Sequence, residues 1–142
     1  MHNNNTIELL NIWLSLTKLQ SNINDELEHA LQENYGLSLN EFLVLYFLSQ
    51  TEEKKLRLQH LHEMVGLSQS ALSRLVVRME AKNCGALQRH ICEDDRRGIY
   101  TSMTDFGEKK FDRALETFNQ ILESALSKDE LKQKLQSLIE KI

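Results

Sequence analysis

No proline occurs in the 142 residues, and glycine occurs only five times. So few obligatory breaks favour helix over a many-turned all-β fold. The longest uninterrupted apolar run, Phe42 to Leu48, is seven residues, well below the ~20 that cross a bilayer as helix. The N-terminus, Met-His-Asn-Asn-Asn-Thr, lacks the basic-then-apolar layout of a secretory signal. A cytoplasmic location without a membrane partner is therefore expected. Two cysteines, Cys84 and Cys92, are too few for a disulfide framework. Equally absent are a nucleophile–base–orienter constellation, a glycine-rich phosphate loop and a His-Glu zinc motif. His60 and His62 lie two apart on a short helix and point in different directions, a poor arrangement for one metal. Neither enzymatic activity nor a cofactor is expected.

What is present is a soluble-protein balance, 41% hydrophobic and 27% charged, with an uneven distribution of charge. The chain carries −4 overall, yet residues 54–103 hold 9 basic and 5 acidic groups, a net of +4. Residues 1–53 hold 1 basic and 8 acidic groups, a net of −7, and residues 104–142 hold 7 and 8, a net of −1. A basic middle between acidic or neutral ends suits a DNA-contacting module whose flanks serve another purpose.

Residues 7–34 read as one long helix, with Leu9, Ile12, Leu16, Leu19, Ile23, Leu27, Ala30 and Leu31 at three- and four-residue steps and Gly36 as its stop. Ser38-Leu39-Asn40-Glu41 is a capping box opening a nearly all-apolar, buried helix over Asn40 to Ser49. A short strand is expected over Leu56 to Leu58, and a helix over Gln59 to Val65, stopped by Gly66. Ser68 caps a helix running to Lys82, and two short helices about a tight glycine-containing turn are a helix-turn-helix signature. A hairpin follows, Leu87 to Cys92 and Ile99 to Met103 about the tip Glu93-Asp94-Asp95-Arg96-Arg97-Gly98. Thr104 caps a long helix bearing Phe111, Leu115, Phe118, Leu122 and Ala125. Ser127-Lys128-Asp129-Glu130 is a second capping box before a last helix with Leu131, Leu135, Leu138 and Ile142.

At 100° per residue the helix after Gly66 divides into two faces. Leu72, Leu75, Val76 and Met79 share an apolar arc, while Ser70, Ser73, Arg74 and Val77 lie opposite with Arg78 at the flank. Serine hydroxyls, arginine forks and a valine suit base edges of a major groove, and Ser68 and Gln69 stand at the end that enters first. The plainer reading is the wet face of an amphipathic helix. Arg96 and Arg97 at the hairpin tip are placed for a minor groove, with Asp95 orienting an arginine by pairing with it. An ordinary charged turn is the alternative there.

Leu67-Ser68-Gln69-Ser70-Ala71-Leu72-Ser73-Arg74-Leu75 followed by Arg78-Met79-Glu80-Ala81-Lys82 resembles the recognition helix of the MarR family of winged helix-turn-helix regulators. Asp95-Arg96-Arg97-Gly98-Ile99-Tyr100-Thr101-Ser102-Met103-Thr104-Asp105-Phe106-Gly107 resembles its wing, returning strand and helix start. One departure is Asn83-Cys84-Gly85-Ala86, about two residues longer than the usual path to the wing. The resemblance implies a mainly α fold with a small β-hairpin wing. It forms a single domain over 1–142, with a DNA-binding lobe at 38–103 and dimerisation helices at 7–34 and 104–142.

The outer helices carry more apolar stripe than one small core absorbs, which itself points to a subunit interface. A monomer whose terminal helices pack on each other is the alternative. A homodimer would set two recognition helices about one DNA turn apart, roughly 34 Å, on a pseudo-palindromic operator in double-stranded DNA. The functional expectation is a ligand- or stress-responsive repressor. The alternative is a helical interaction or adaptor protein with a non-functional DNA lobe. By resemblance, a small aromatic effector would enter a crevice lined by Trp13, Tyr46 and Phe47, although such residues at helical spacing also serve as plain core. Cys92, beside the wing arginines, is a candidate redox thiol.

Overall fold

The computed structural model describes residues 4–81, 85–91, 98–127 and 131–140. Among the described residues, six helices and three strands follow in the order α1 (Asn4–Tyr35), α2 (Leu39–Ser49), β1 (Lys55–Arg57), α3 (Leu58–Val65), α4 (Gln69–Ala81), β2 (Leu87–Ile91), β3 (Ile99–Met103), α5 (Asp105–Leu126) and α6 (Leu131–Glu140). The mainly helical winged-helix class expected from the sequence is the one observed.

Local chemistry accounts for most of the boundaries. Ser38 Oγ accepts from Glu41 N at 3.0 Å and Glu41 Oε1 accepts from Ser38 N at 2.8 Å, the two halves of the capping box that starts α2. Glu28 of α1 adds a third acceptor, its Oε2 lying 2.6 Å from Leu39 N. Three free N–H groups of a helix start are thereby satisfied inside the protein. Gly66 closes α3 at φ 82°, in the left-handed region where glycine carries no Cβ penalty. The strand expected over Leu56 to Leu58 lies one residue earlier, because Leu58 already opens α3. Its register is set by pairing Arg57 with Tyr100 and Lys55 with Ser102.

β3 is the middle strand of an antiparallel sheet in the order β1-β3-β2, and β2 pairs with it from Leu87–Met103 to Ile91–Ile99. The core gathers Leu31, Leu37, Phe42, Leu45, Leu48, Leu61, Leu72, Val76, Met79, Leu87 and Phe111 from α1 to α5. Phe42 stacks on Phe118 at 4.5 Å and meets Phe111 at 5.3 Å, which seats α5 on α2. α2 is less fully buried than its apolar sequence suggested. Tyr46 stands at the rim, 39% exposed, with its ring edge against Phe47. The Tyr35 hydroxyl ties the end of α1 to α5, donating to Arg113 O at 3.0 Å and lying 2.6 Å from Thr117 Oγ1.

The start of α5 is locked to the start of β2. Thr104 Oγ1 accepts from Gly107 N at 3.1 Å and donates to Gly85 O at 2.6 Å, while Thr104 N donates to Ala86 O at 3.0 Å. A Cβ on Gly107 would stand 2.3 Å from Ala86 O, so this Thr-x-x-Gly start admits no side chain at its fourth residue. The first half of α1 has no comparable tie among the described residues. Every residue from Thr6 to Lys18 is exposed, and full burial begins only at Leu27. The second capping box, Ser127 to Glu130, extends beyond the described residues at Lys128, and α6 is described from Leu131.

Candidate nucleic-acid interface

α4 presents the two faces read from its sequence. Leu72, Leu75, Val76 and Met79 are buried, at most 3% exposed, whereas Ser70, Ser73, Arg74, Val77 and Arg78 are all exposed. A helix pinned along one side by four apolar side chains offers the other side in a fixed orientation, as a groove-reading element requires. Its entry is equally defined. Gly66 N and Leu67 N both donate to His62 O, at 3.0 and 3.1 Å, and His62 Nδ1 lies 3.2 Å from Leu67 O. Ser68 Oγ accepts from Ala71 N at 3.1 Å, so its acceptor serves the helix start while its hydroxyl hydrogen remains to donate outward. Gln69 is exposed beside it.

At the far end, Ala86 N donates to Met79 O at 3.2 Å, and Arg89 Nε lies 2.5 Å from Glu80 Oε1. These contacts join α4 to the hairpin, so the helix and the base of the hairpin belong to one packed unit. Gly98 is buried and Ile99 is 44% exposed at that base. Of the tip, Asp95, Arg96 and Arg97 lie outside the described residues, as do Cys92 and Cys84. The longer path at Asn83 to Ala86 is described only from Gly85, and β2 begins at Leu87 as expected.

Two residues that the sequence analysis did not assign to a DNA-contacting face join this surface. Arg57 at the end of β1 donates from Nε to Tyr100 Oη at 3.0 Å, and its guanidinium lies 5.4 Å from the Tyr100 ring. Gln59, in the first turn of α3, is exposed nearby. Arg57 and Gln59 floor a groove of about 420 Å³ whose walls are Gln69 and Ser73 of α4 and Gly98 and Ile99 of the hairpin. The Lys55-Leu56-Arg57 alternation was the available signal, but its partner strand lies 43 residues away.

The three aromatics expected to share a crevice are not assembled within the chain. Tyr46 and Phe47 touch, with ring centres 5.2 Å apart, and Tyr46 also lies 6.5 Å from Phe111. Trp13 is 66% exposed on the unpacked half of α1 and pairs with none of the described aromatic rings.

Residues 26–114, from mid-α1 to mid-α5, match the family model described as transcriptional regulator SarA/Rot. No curated protein matches the chain. Among solved structures, a MarR family transcriptional regulator from Streptomyces coelicolor in complex with DNA superposes with a TM-score of 0.83, at 23% identity, over 94% of this chain and 84% of that one. AbsC, a MarR family regulator from the same organism, gives 0.81 at 24% identity over 97% and 93%. Wild-type MarR from E. coli, in its apo form, gives 0.75 at 17% identity over 89% and 91%. These likenesses establish a shared fold, and the family match covers well over half of the chain. The chain belongs to the SarA/Rot family of transcriptional regulators, DNA-binding proteins built on the MarR-type winged-helix fold.

Proposed function

We propose that the protein acts in the cytoplasm as a homodimeric repressor on a pseudo-palindromic operator, with α4 of each subunit in a major groove and the hairpin tip beside it. The observation that carries this reading is the division of α4, where Ser70, Ser73, Arg74 and Arg78 are exposed while the opposite face is locked into the core. Arg74 forks onto a guanine, Ser70, Ser73 and Gln69 reach neighbouring bases or phosphates, and Ser68 donates at the point of entry. Arg96 and Arg97 enter the flanking minor groove, with Asp95 pairing to hold one of them. The unpacked half of α1 supports the dimer, because a row of bare leucines and a tryptophan needs a covering surface. A ligand or stress signal that alters the spacing of the two α4 helices would release the operator. The Tyr46–Phe47 pair is the aromatic surface such a small effector would meet, joined by Trp13 where the subunits come together.

The test is selection of bound sequences from random duplex DNA, followed by titration of wild type and Arg74→Ala. Arg74→Ala is expected to lose about 1–3 kcal/mol of discrimination at one base pair of each half-site. A uniform loss over all sequences would make Arg74 a phosphate contact instead. The bare half of α1 also suits a helical adaptor protein. That reading prevails if the wild type ignores every duplex at low salt while remaining folded.

A further inference from the structure

Where the end of α1 meets the start of α5 there is a second groove, of about 360 Å³. Asn34 and Tyr35 form one wall, and Phe106, Lys109, Lys110 and Arg113 the other. We infer that it is an effector site for a small phosphorylated compound with a flat ring, the chemistry of a nucleotide. The phosphates meet the three cations and the ring stacks on Phe106. The site itself stands without the operator reading above, whereas its control of DNA binding rests on that reading.

Charge is the first ground. At 100° per residue, Phe106, Lys109, Lys110 and Arg113 share one edge of α5, and Asp105, Glu108, Asp112 and Glu116 share the other. Glu108 pairs with Lys54, and none of the three cations forms an ion pair among the described residues. No described carboxylate lines the groove. The acidic residues beyond the described ones, Glu93 to Asp95, Asp129 and Glu130, are joined to the described chain at distant points. Ile99 stands about 16 Å along β3 from Thr104, and Ser127 about 21 Å along α5 from Arg113. The last carbonyls of α1, which would repel an anion, are partly engaged. Gln32 O accepts from Gly36 N at 3.0 Å, and Leu31 O from Leu37 N at 3.2 Å. The aromatic ring is the second ground. Phe106 is 53% exposed, with Lys110 Nζ 6.0 Å from its centre. A bare ring among cations suits a ligand that is both flat and multiply charged. One carboxylate would leave two of the cations unmatched, whereas each phosphate ester carries about −2. Size is the third. The groove is at the small end of the roughly 300–1,000 Å³ that small ligands occupy, too little for a duplex or a folded partner. Position is the fourth. The Tyr35 hydroxyl ties the two walls, donating to Arg113 O at 3.0 Å, so the groove lies at the joint of the two long helices. Phe106 and Lys110 also flank Gly107, which is seated against Ala86 O. A ligand drawing the helix ends together acts within one turn of the hairpin root.

Isothermal titration of the full-length protein tests the site with ADP and GDP as probes, and with adenosine, inorganic pyrophosphate and benzoate as controls. At least one of the two nucleotides should bind with a Kd of about 1 mM or tighter. Adenosine and benzoate, lacking the phosphates, should bind at least about tenfold more weakly. Arg113→Ala and Lys109→Ala should each weaken the nucleotide at least about tenfold. Phe106→Ala should weaken the nucleotide about tenfold through lost stacking and leave pyrophosphate unchanged. Phe106, Lys109 and Arg113 are all exposed, so these variants leave the core intact, and circular dichroism checks that they fold. A saturating nucleotide should also change the affinity of the wild type for its selected duplex at least about fivefold, and that of Phe106→Ala less. The inference is overturned if neither nucleotide binds, if benzoate binds as tightly, or if folded Arg113→Ala and Lys109→Ala bind like wild type. A duplex affinity unmoved by bound nucleotide overturns the effector role. A wild type that binds nucleotide and ignores every duplex leaves the site standing and removes the operator reading instead.

Discussion

The first half of α1 is more apolar than the second, yet it is the half left uncovered. From Leu19 onward the helix is progressively covered, with Leu27 and Leu31 buried, Glu28 capping α2 and Tyr35 bonded to α5. From Thr6 to Lys18 none of the described residues buries it, although Leu9, Ile12 and Leu16 continue the same stripe. Ile7, Leu10 and Leu14 lie on the other side of the turn, so this half is apolar nearly all round. A helix of that kind normally belongs inside an assembly. The family match begins at residue 26, so it takes in the buried Leu27 and Leu31 and leaves the bare half out. The described residues of the lobe thus bury a shared core, whereas they leave the first half of α1 uncovered.

That contrast can be broken or sharpened by substitution. Leu31→Ala, in the packed half, should cost about 2–5 kcal/mol of stability through a cavity in the core. Urea unfolding should show the same loss at every protein concentration. Leu9→Glu with Leu16→Glu should leave helix content nearly intact yet weaken self-association at least about 100-fold, about 2.7 kcal/mol. Sedimentation equilibrium reads this directly, and a wild type that sediments as a monomer would remove the dimer. Gly107→Ala should cost about 1–3 kcal/mol by overpacking against a backbone carbonyl that cannot easily retreat. Thermal unfolding would report it, and a neutral outcome would mean that α5 slides freely over Ala86. Glu28→Gln keeps an acceptor for Leu39 N but removes the charge, and should cost no more than about 1 kcal/mol.

Features written in short stretches of chain were the ones legible in the sequence. The Ser38–Glu41 box, the Gly66 stop and the Thr104 cap each involve groups within four residues, and each was read from sequence alone. The two faces of α4 were legible because helical periodicity converts spacing directly into direction. Arg57 was not, because its role depends on β1 pairing with Tyr100 across 43 residues, and no local pattern encodes that register. The Thr-x-x-Gly start could be seen as a pattern, but its reason, the Ala86 carbonyl, belongs to a different strand. Trp13 was grouped with Tyr46 and Phe47 by resemblance, and packing within one chain gives it no ring partner among the described residues.

The seating of Gly107 on Ala86 leaves no slack, not even the width of one methyl group, between the root of the hairpin and the first turn of α5. With Thr104 bonded to both Gly85 and Ala86, a tilt of the long helix is handed on to the strands rather than absorbed at a joint. A small angular change among the outer helices would thus arrive at the fingertip of the sheet as a sideways swing, its size set by the length of the two strands.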